Sequence, residues 1–227
     1  MARPRTRPAP PRATAPDLPP DPAPTPLARS ADVVEALVQP GPADADGAFA
    51  RISESVVAAA SVDRLDLTGA ILSDVRFDDP AAASLAAREG SWQSVLVSGG
   101  RIGTLDLTRA RCEGVEFRGV RIDYLSAPAA TLRDVLVVDC VIGTLDLPGA
   151  SLERVRFANT TVEEVDTREM RAADLDLRGL EALAFTDVRA LREATISLRQ
   201  AEAHAGVLAA ALGIDVQSAD ETSRERT

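Results

Sequence analysis

The sequence predicts an all-β solenoid: stacked four-sided coils of about 20 residues each, with a short helix at either end. Three observations predict it. Between Gly90 and Val165 every fifth residue is uncharged, as in Trp92, Val97, Ile102, Leu107, Cys112, Phe117 and Ile122. A second series two residues earlier, including Val95, Leu105, Ala110 and Val115, behaves alike. With 26% of the chain charged, two such series mark inward positions, and a period of five fits neither a helix nor a simple strand. The second observation is a longer repeat: Leu65-Asp66-Leu67-Thr68 returns as Leu105-Asp106-Leu107-Thr108 and as Leu145-Asp146-Leu147-Pro148. The third is that columns persist at half that offset. Val75, Val95, Val115, Val135, Val155 and Leu175 form one, Ile102, Ile122, Ile142 and Val162 another, while Phe77, Val97, Phe117, Val137 and Phe157 alternate large and small. Alternation lets successive layers interdigitate at constant volume. The coil is therefore 20 residues, and the 40-residue unit is two coils.

Two inward residues in every five describe a short extended side followed by a corner. Ala150-Ser151-Leu152-Glu153-Arg154, Ala110-Arg111-Cys112-Glu113-Gly114 and Val115-Glu116-Phe117-Arg118-Gly119 have this shape. Here the chain resembles the pentapeptide-repeat proteins, whose unit is a small residue, Asp or Asn, Leu or Phe, and two polar residues. The resemblance covers roughly residues 50–190 and implies a right-handed quadrilateral parallel β-helix, about seven coils in a rod about 33 Å long. The sequence departs from the motif where Asp or Asn is missing before most central residues. It departs again where Leu65, Leu85, Leu105 and Leu125 stand in place of a small residue, which predicts a bowed side partly offset by Ala87 and Ala127. A leucine-rich repeat is the competing fold, since Ile102-x-x-Leu105-x-Leu107 matches its core. Its Asn or Cys position holds Ala110, however, and the fivefold spacing runs on where such a unit turns irregular.

In chain order, residues 1–29 hold ten of the 15 prolines along with Arg3, Arg5, Arg7 and Arg12, a composition that predicts a disordered or polyproline-like solubilising tail. The tail has no apolar run of the kind a secretion signal needs. Residues 30–48 predict a short capping helix over 31–38, started by Ser30 and ended by Pro40, then a linker. Coils are expected over 49–192, from near Phe49, with a degenerate side over 78–90 and an irregular last coil after Val165, where Leu183 and Val188 hint at a phase slip. Residues 193–216 predict a helix capped by Ser197 and closed by Gly213, with Leu198, Ala201, Ala205, Leu208 and Leu212 on one face. The family resemblance makes that helix a cap or a homodimer contact. Residues 217–227 read as a disordered tail.

Little in the sequence points to chemistry. His204 is the single histidine and reads as a solvated helix residue rather than a base or metal ligand. Cys112 and Cys140 occupy inward positions in different columns, too far apart to bridge, and suit a reducing cytoplasm. No phosphate-loop, dinucleotide or nucleophile-elbow motif is present. The expectation is a non-enzymatic chain with no cofactor and no metal.

Two surface features remain. Asp66, Asp106, Asp146 and Asp166 share one outward column, with Asp63, Asp123, Glu163 and Glu164 beside it. Some pentapeptide-repeat proteins bind DNA gyrase by mimicking duplex DNA and modulate quinolone sensitivity, so the resemblance makes gyrase a candidate partner through this column. Against it, residues 62–192 carry 22 acids and 16 arginines, a net of −6. Duplex DNA carries one charge per about 1.7 Å. Leu96, Leu136, Val138 and Val141 form a candidate apolar patch. The sequence thus predicts a cytoplasmic protein-binding scaffold, its partner unidentified, with no nucleic-acid or membrane binding.

Overall fold

A computed structural model of the chain describes residues 7–41, 43–58 and 61–217. The tail expectations for residues 1–6 and 218–227 lie outside these. The inward columns are stacked as the period requires. Val33, Ile52, Leu72, Trp92, Cys112, Leu132, Leu152 and Ala172 follow one another across eight coils by parallel pairing. On the other sheet Leu65, Leu85, Leu105, Leu125, Leu145 and Val165 do the same. At the usual strand spacing eight coils span about 38 Å. The two sheets have 11 and eight strands, and the space between them is filled by one continuous aliphatic cluster. Every β-pairing described is parallel, and each coil contributes strands to both sheets, whereas a leucine-rich unit carries its parallel sheet on one side only, which excludes that arrangement.

Left-handed residues make three of the four corners. One corner column holds Gly69, Glu89, Arg109, Ala129, Gly149 and Glu169, a second Asp74, Ser94, Gly114, Asp134, Arg154 and Asp174, a third Asp79, Gly99, Gly119, Asp139 and Asn159, all at positive φ. Gly, Asn and Asp adopt this conformation readily, whereas Arg109 or Ala129 pays about 1–2 kcal/mol for it. The fourth corner, at Arg64, Ser84, Thr104, Tyr124 and Thr144, has no left-handed residue and is crossed inside single strands such as Arg101–Asp106. The large Leu105 and its stack lie immediately inside that corner, so the strand bends over them instead of turning sharply.

Trp92 is the largest buried side chain and shows how one coil accommodates an oversized residue. Its ring stacks on Phe77 at 5.6 Å and 16°. Its neighbour in the alanine column is Gly90, where a Cβ would lie 3.0 Å from the Ala70 carbonyl oxygen. The Trp92 Nε1–H has no hydrogen-bond partner, a penalty of about 1–3 kcal/mol that the buried ring area offsets.

The N-terminal boundary differs from the sequence expectation. No helix forms over 31–38; instead Asp32–Val34 and Ala36–Val38 are strands around the left-handed Glu35. Val33, Ala36 and Val38 are at most 2% exposed, because they continue the inward columns of the next coil. This first coil is one residue short, pairing Val33 with Ile52 and Val38 with Val57. Ser55 explains how the ladder survives the shortage: the Ala36 N–H donates to Ser55 Oγ at 3.0 Å, replacing a backbone bond. The expected linker is also part of this coil, since Asp44–Asp46 pairs with Arg64–Asp66. Phe49 does not point inward. It sits 53% exposed at a left-handed corner, with the Arg29 guanidinium 4.9 Å from its ring centroid.

At the other end no phase slip occurs before Phe185: Met170, Leu175 and Leu180 stay buried while Leu183 is 80% exposed. A short 3-10 turn, Val188–Leu191, then leads to α1 (Leu198–Ala203) and α2 (Ala205–Ala211). Ser197 caps α1 in a full capping box with Gln200, and Gly213 follows at φ 77°. The half-buried face is rotated from the expected one. Gln200, Ala201, His204 and Leu208 turn inward, whereas Leu198, Ala205 and Leu212 are exposed. Gln200 sets this rotation by donating from Nε2 to the Leu177 and Leu180 carbonyls, both at 2.6 Å, which ties the helix to the last coil. Val115→Asp should abolish cooperative folding, since Val115 is fully buried among aliphatic side chains with no cation near. A soluble variant with an unchanged thermal melt would contradict the inward column.

Candidate interaction surfaces

The acidic column is in register. Asp46, Asp66, Ala86, Asp106, Ser126, Asp146 and Asp166 are consecutive ladder partners along the second sheet. Local structure decides what their carboxylates do. Each Asp ends a strand just before a turn, and its Oδ1 accepts the backbone N–H two residues on. These bonds run from Ala48 to Asp46, Thr68 to Asp66, Thr108 to Asp106 and Arg168 to Asp166, each at 3.0 Å. Pro148 has no N–H to give Asp146, which instead accepts from the Tyr124 hydroxyl at 2.9 Å. Arginines cover the same oxygens: Arg64 lies 3.6 Å from Asp66, Arg88 bonds Asp106, and Arg168 grips Asp166 through Nε at 2.9 Å. The sequence pattern located the column, but the turn-capping role of its members emerges only from the backbone geometry.

These contacts lower the carboxyls of Asp66, Asp106 and Asp166. Burial raises the Asp106 carboxyl, but hydrogen bonds from Thr108 and Arg88 outweigh it and hold the group below its ordinary value. Asp66 is lowered in the same way, its burial outweighed by Thr68 and then Arg64. The Arg168 hydrogen bond is the main cause of the lowering at Asp166.

The four apolar positions are not brought into one patch. Leu136 and Val138 project from the same side of the strand Thr131–Val138. Leu96 is separated from Leu136 by Glu116 in the ladder. Val141 lies beyond the corner at Asp139 on the other sheet, 46% exposed, in a shallow groove with Arg121, Thr161 and Leu183.

The thiols and the histidine have local partners. Cys112 and Cys140 are free and buried, and burial pushes the Cys112 thiol up to about 12. His204 is half-buried with its ring edge-on to Phe185 at 5.2 Å, not solvated on the outer flank as expected. Among the described residues no cluster of three His, Cys, Asp or Glu side chains could hold a metal ion, and no helix is long and apolar enough to cross a membrane.

A further surface was not read from the sequence. The proline-rich segment, expected to be a disordered or polyproline-like tail, lies along one corner of the rod from residue 7 onward. Its backbone N–H groups donate to three carboxylates of a single corner column: Ala9 to Asp174 at 3.1 Å, Arg12 to Asp134 at 2.9 Å and Asp17 to Asp74 at 3.3 Å. Asp134 is 5% exposed and is clamped by Arg154 of the next coil through two bonds of 2.7 and 2.8 Å. The Arg154 hydrogen bonds are the main reason its carboxyl stays low, with the Arg12 N–H adding to them. The signal was available in the spacing of Pro8, Pro11, Pro16, Pro19 and Pro22, but only together with the corner column of Asp74, Asp134 and Asp174.

No family model matches the chain, and no curated protein does. Among solved structures, a similar chain is QnrB1, a plasmid-mediated fluoroquinolone resistance protein, at 13% identity over 85% of this chain and 97% of that one, with a TM-score of 0.25.

The lowered carboxyls give the fold a pH dependence of definite sign. They titrate lower in the folded chain than in the unfolded one, so their stabilisation is present above the ordinary carboxylate range and is lost as pH falls below about 4. Thermal melts by circular dichroism should show the midpoint falling between pH 5 and pH 2. Asp106→Asn should flatten that fall, because its amide keeps the Thr108 bond but does not titrate. Parallel curves for the two proteins would rule out this contribution.

Proposed function

We propose that the chain is a non-catalytic cytoplasmic scaffold of the pentapeptide-repeat kind, working without a cofactor by binding another protein. One observation carries this reading: the rod's interior is filled by aliphatic columns from Val33 to Leu180, so its polar groups stand on outer columns repeated at every coil. Such a surface is regular and pre-organised, which lowers the ordering cost of binding an extended partner face. The exposed Leu198 and Leu212 at the helical end support a homodimer contact as a further role for that end.

Gyrase binding by DNA mimicry is a second reading, favoured by the in-register Asp66, Asp106, Asp146 and Asp166. The arginines paired with Asp66, Asp106 and Asp166 weigh against it, because they cancel the charge a mimic must display. One experiment separates the two. Tagged full-length protein is used to capture partners from nuclease-treated lysate of the source cell, read by mass spectrometry. The scaffold reading expects a specific protein whose retention survives Asp66→Asn, Asp106→Asn and Asp146→Asn together. Retention of gyrase subunits, lost in that triple variant, would favour the mimic, and no specific retention would count against both.

A further inference from the structure

The proline-rich segment and the rod beneath it share a length scale. Three residues of polyproline II rise about 9.3 Å and two coils about 9.6 Å; five residues rise about 15.5 Å and three coils about 14.4 Å. The observed bonds use these two matches. From Ala9 to Arg12 the chain advances three residues while its acceptors move two coils, from Asp174 to Asp134. From Arg12 to Asp17 it advances five residues while they move three coils, to Asp74. Each donor directly follows a proline, in Pro8-Ala9, Pro11-Arg12 and Pro16-Asp17, so the missing proline N–H never falls on an acceptor. Pro8 and Pro11, three residues apart, are half-buried, as are Pro16, Pro19 and Pro22 at the same spacing, whereas Pro10 and Pro20 are exposed; each run keeps one side on the rod at three residues per turn, and the step of five from Pro11 to Pro16 resets the face between them.

The acceptors are equally specific. Asp74, Asp134 and Asp174 share one left-handed corner column, at φ 55°, 53° and 54°, and the intervening coils put Ser94, Gly114 and Arg154 there. Arg154 holds the buried Asp134 carboxylate in place. The central contact is enclosed, whereas the outer two, at Asp74 and Asp174, are open to solvent.

We propose that this corner is a binding groove for proline-rich peptides in the polyproline-II conformation, with residues 8–19 as its resident occupant, exchangeable for a proline-rich segment of a partner protein. The proposal rests on the scaffold reading and names its partner class: a segment offering an N–H directly after proline at positions spaced three and five residues apart. Polyproline II suits such a groove because the free peptide is already extended and loses little entropy on docking. Three backbone bonds, two at exposed acceptors, place the strap at the low end of local stability, where exchange is possible. Tethering gives it an effective concentration in the millimolar range, so a partner must outcompete it.

The test uses the full chain and a fluorescein-labelled synthetic peptide of residues 7–22, read by fluorescence anisotropy. Pro8→Gly, Pro11→Gly and Pro16→Gly together should unseat the strap, visible as faster hydrogen exchange at Ala9, Arg12 and Asp17, and should tighten peptide binding at least tenfold over the native chain. Adding Asp74→Gly and Asp174→Gly should weaken that binding at least tenfold. Glycine takes the left-handed corner without strain, as Gly114 does in the same column, so the fold is preserved. Slow exchange in the triple proline variant, binding no tighter than to the native chain, or binding indifferent to Asp74 and Asp174 would each overturn the proposal. None of these outcomes bears on the scaffold reading, which the lysate experiment tests separately.

Discussion

The parallel ladder between successive coils is the constraint on which the rest depends. Every N–H and C=O along a side must find its partner in the coil above or below, so each coil must repeat the length of its neighbour. Once the lengths match, identical positions stack into columns, and every column must be filled consistently through the rod. The alternation of Phe77, Val97, Phe117, Val137 and Phe157 follows from this, as does the exchange of Ala70 for Gly90 beside Trp92. Where the first coil is one residue short, the ladder is kept only because Ser55 offers a side-chain oxygen to the Ala36 N–H.

Much of this was legible because the ladder writes itself into the sequence as a period. The columns up to Val165 could be read directly, and so could Ser197 as a helix cap, whereas the last coil, where Leu183 suggests a slip, keeps its phase. The N-terminal coil could not, since its shift of one residue removes Val33, Ala36 and Val38 from the fivefold phase, and a local helical pattern took their place. The helix face was misjudged for a related reason: Gln200 is polar in sequence but turns inward to serve the Leu177 and Leu180 carbonyls. Composition alone marks residues 7–22 as unable to order themselves, which holds for an isolated segment. It does not foresee a rod whose coil spacing is commensurate with polyproline II.

The same backbone demands shape the surface. Asp66, Asp106 and Asp166 each satisfy the N–H of the turn that follows them, and Arg64, Arg88 and Arg168 balance their charge. A column of acids in a repeat protein can thus arise from turn chemistry before any partner selects it. Asp134 and its strap differ, since Asp74, Asp134 and Asp174 cap no turn of their own in this way and accept from another part of the chain.

Coils stacked in register every 20 residues, with core volume alternating every two coils, make a strong prediction about deletions. Removing residues 101–140 joins Gly100 to Val141 and leaves every column and the Val97–Phe157 alternation in phase. Removing residues 101–130 breaks the phase by half a coil. Thermal unfolding followed by circular dichroism should show a cooperative β-rich transition for the first deletion and none for the second. Two equally cooperative proteins, or two unfolded ones, would contradict the register on which the structure depends.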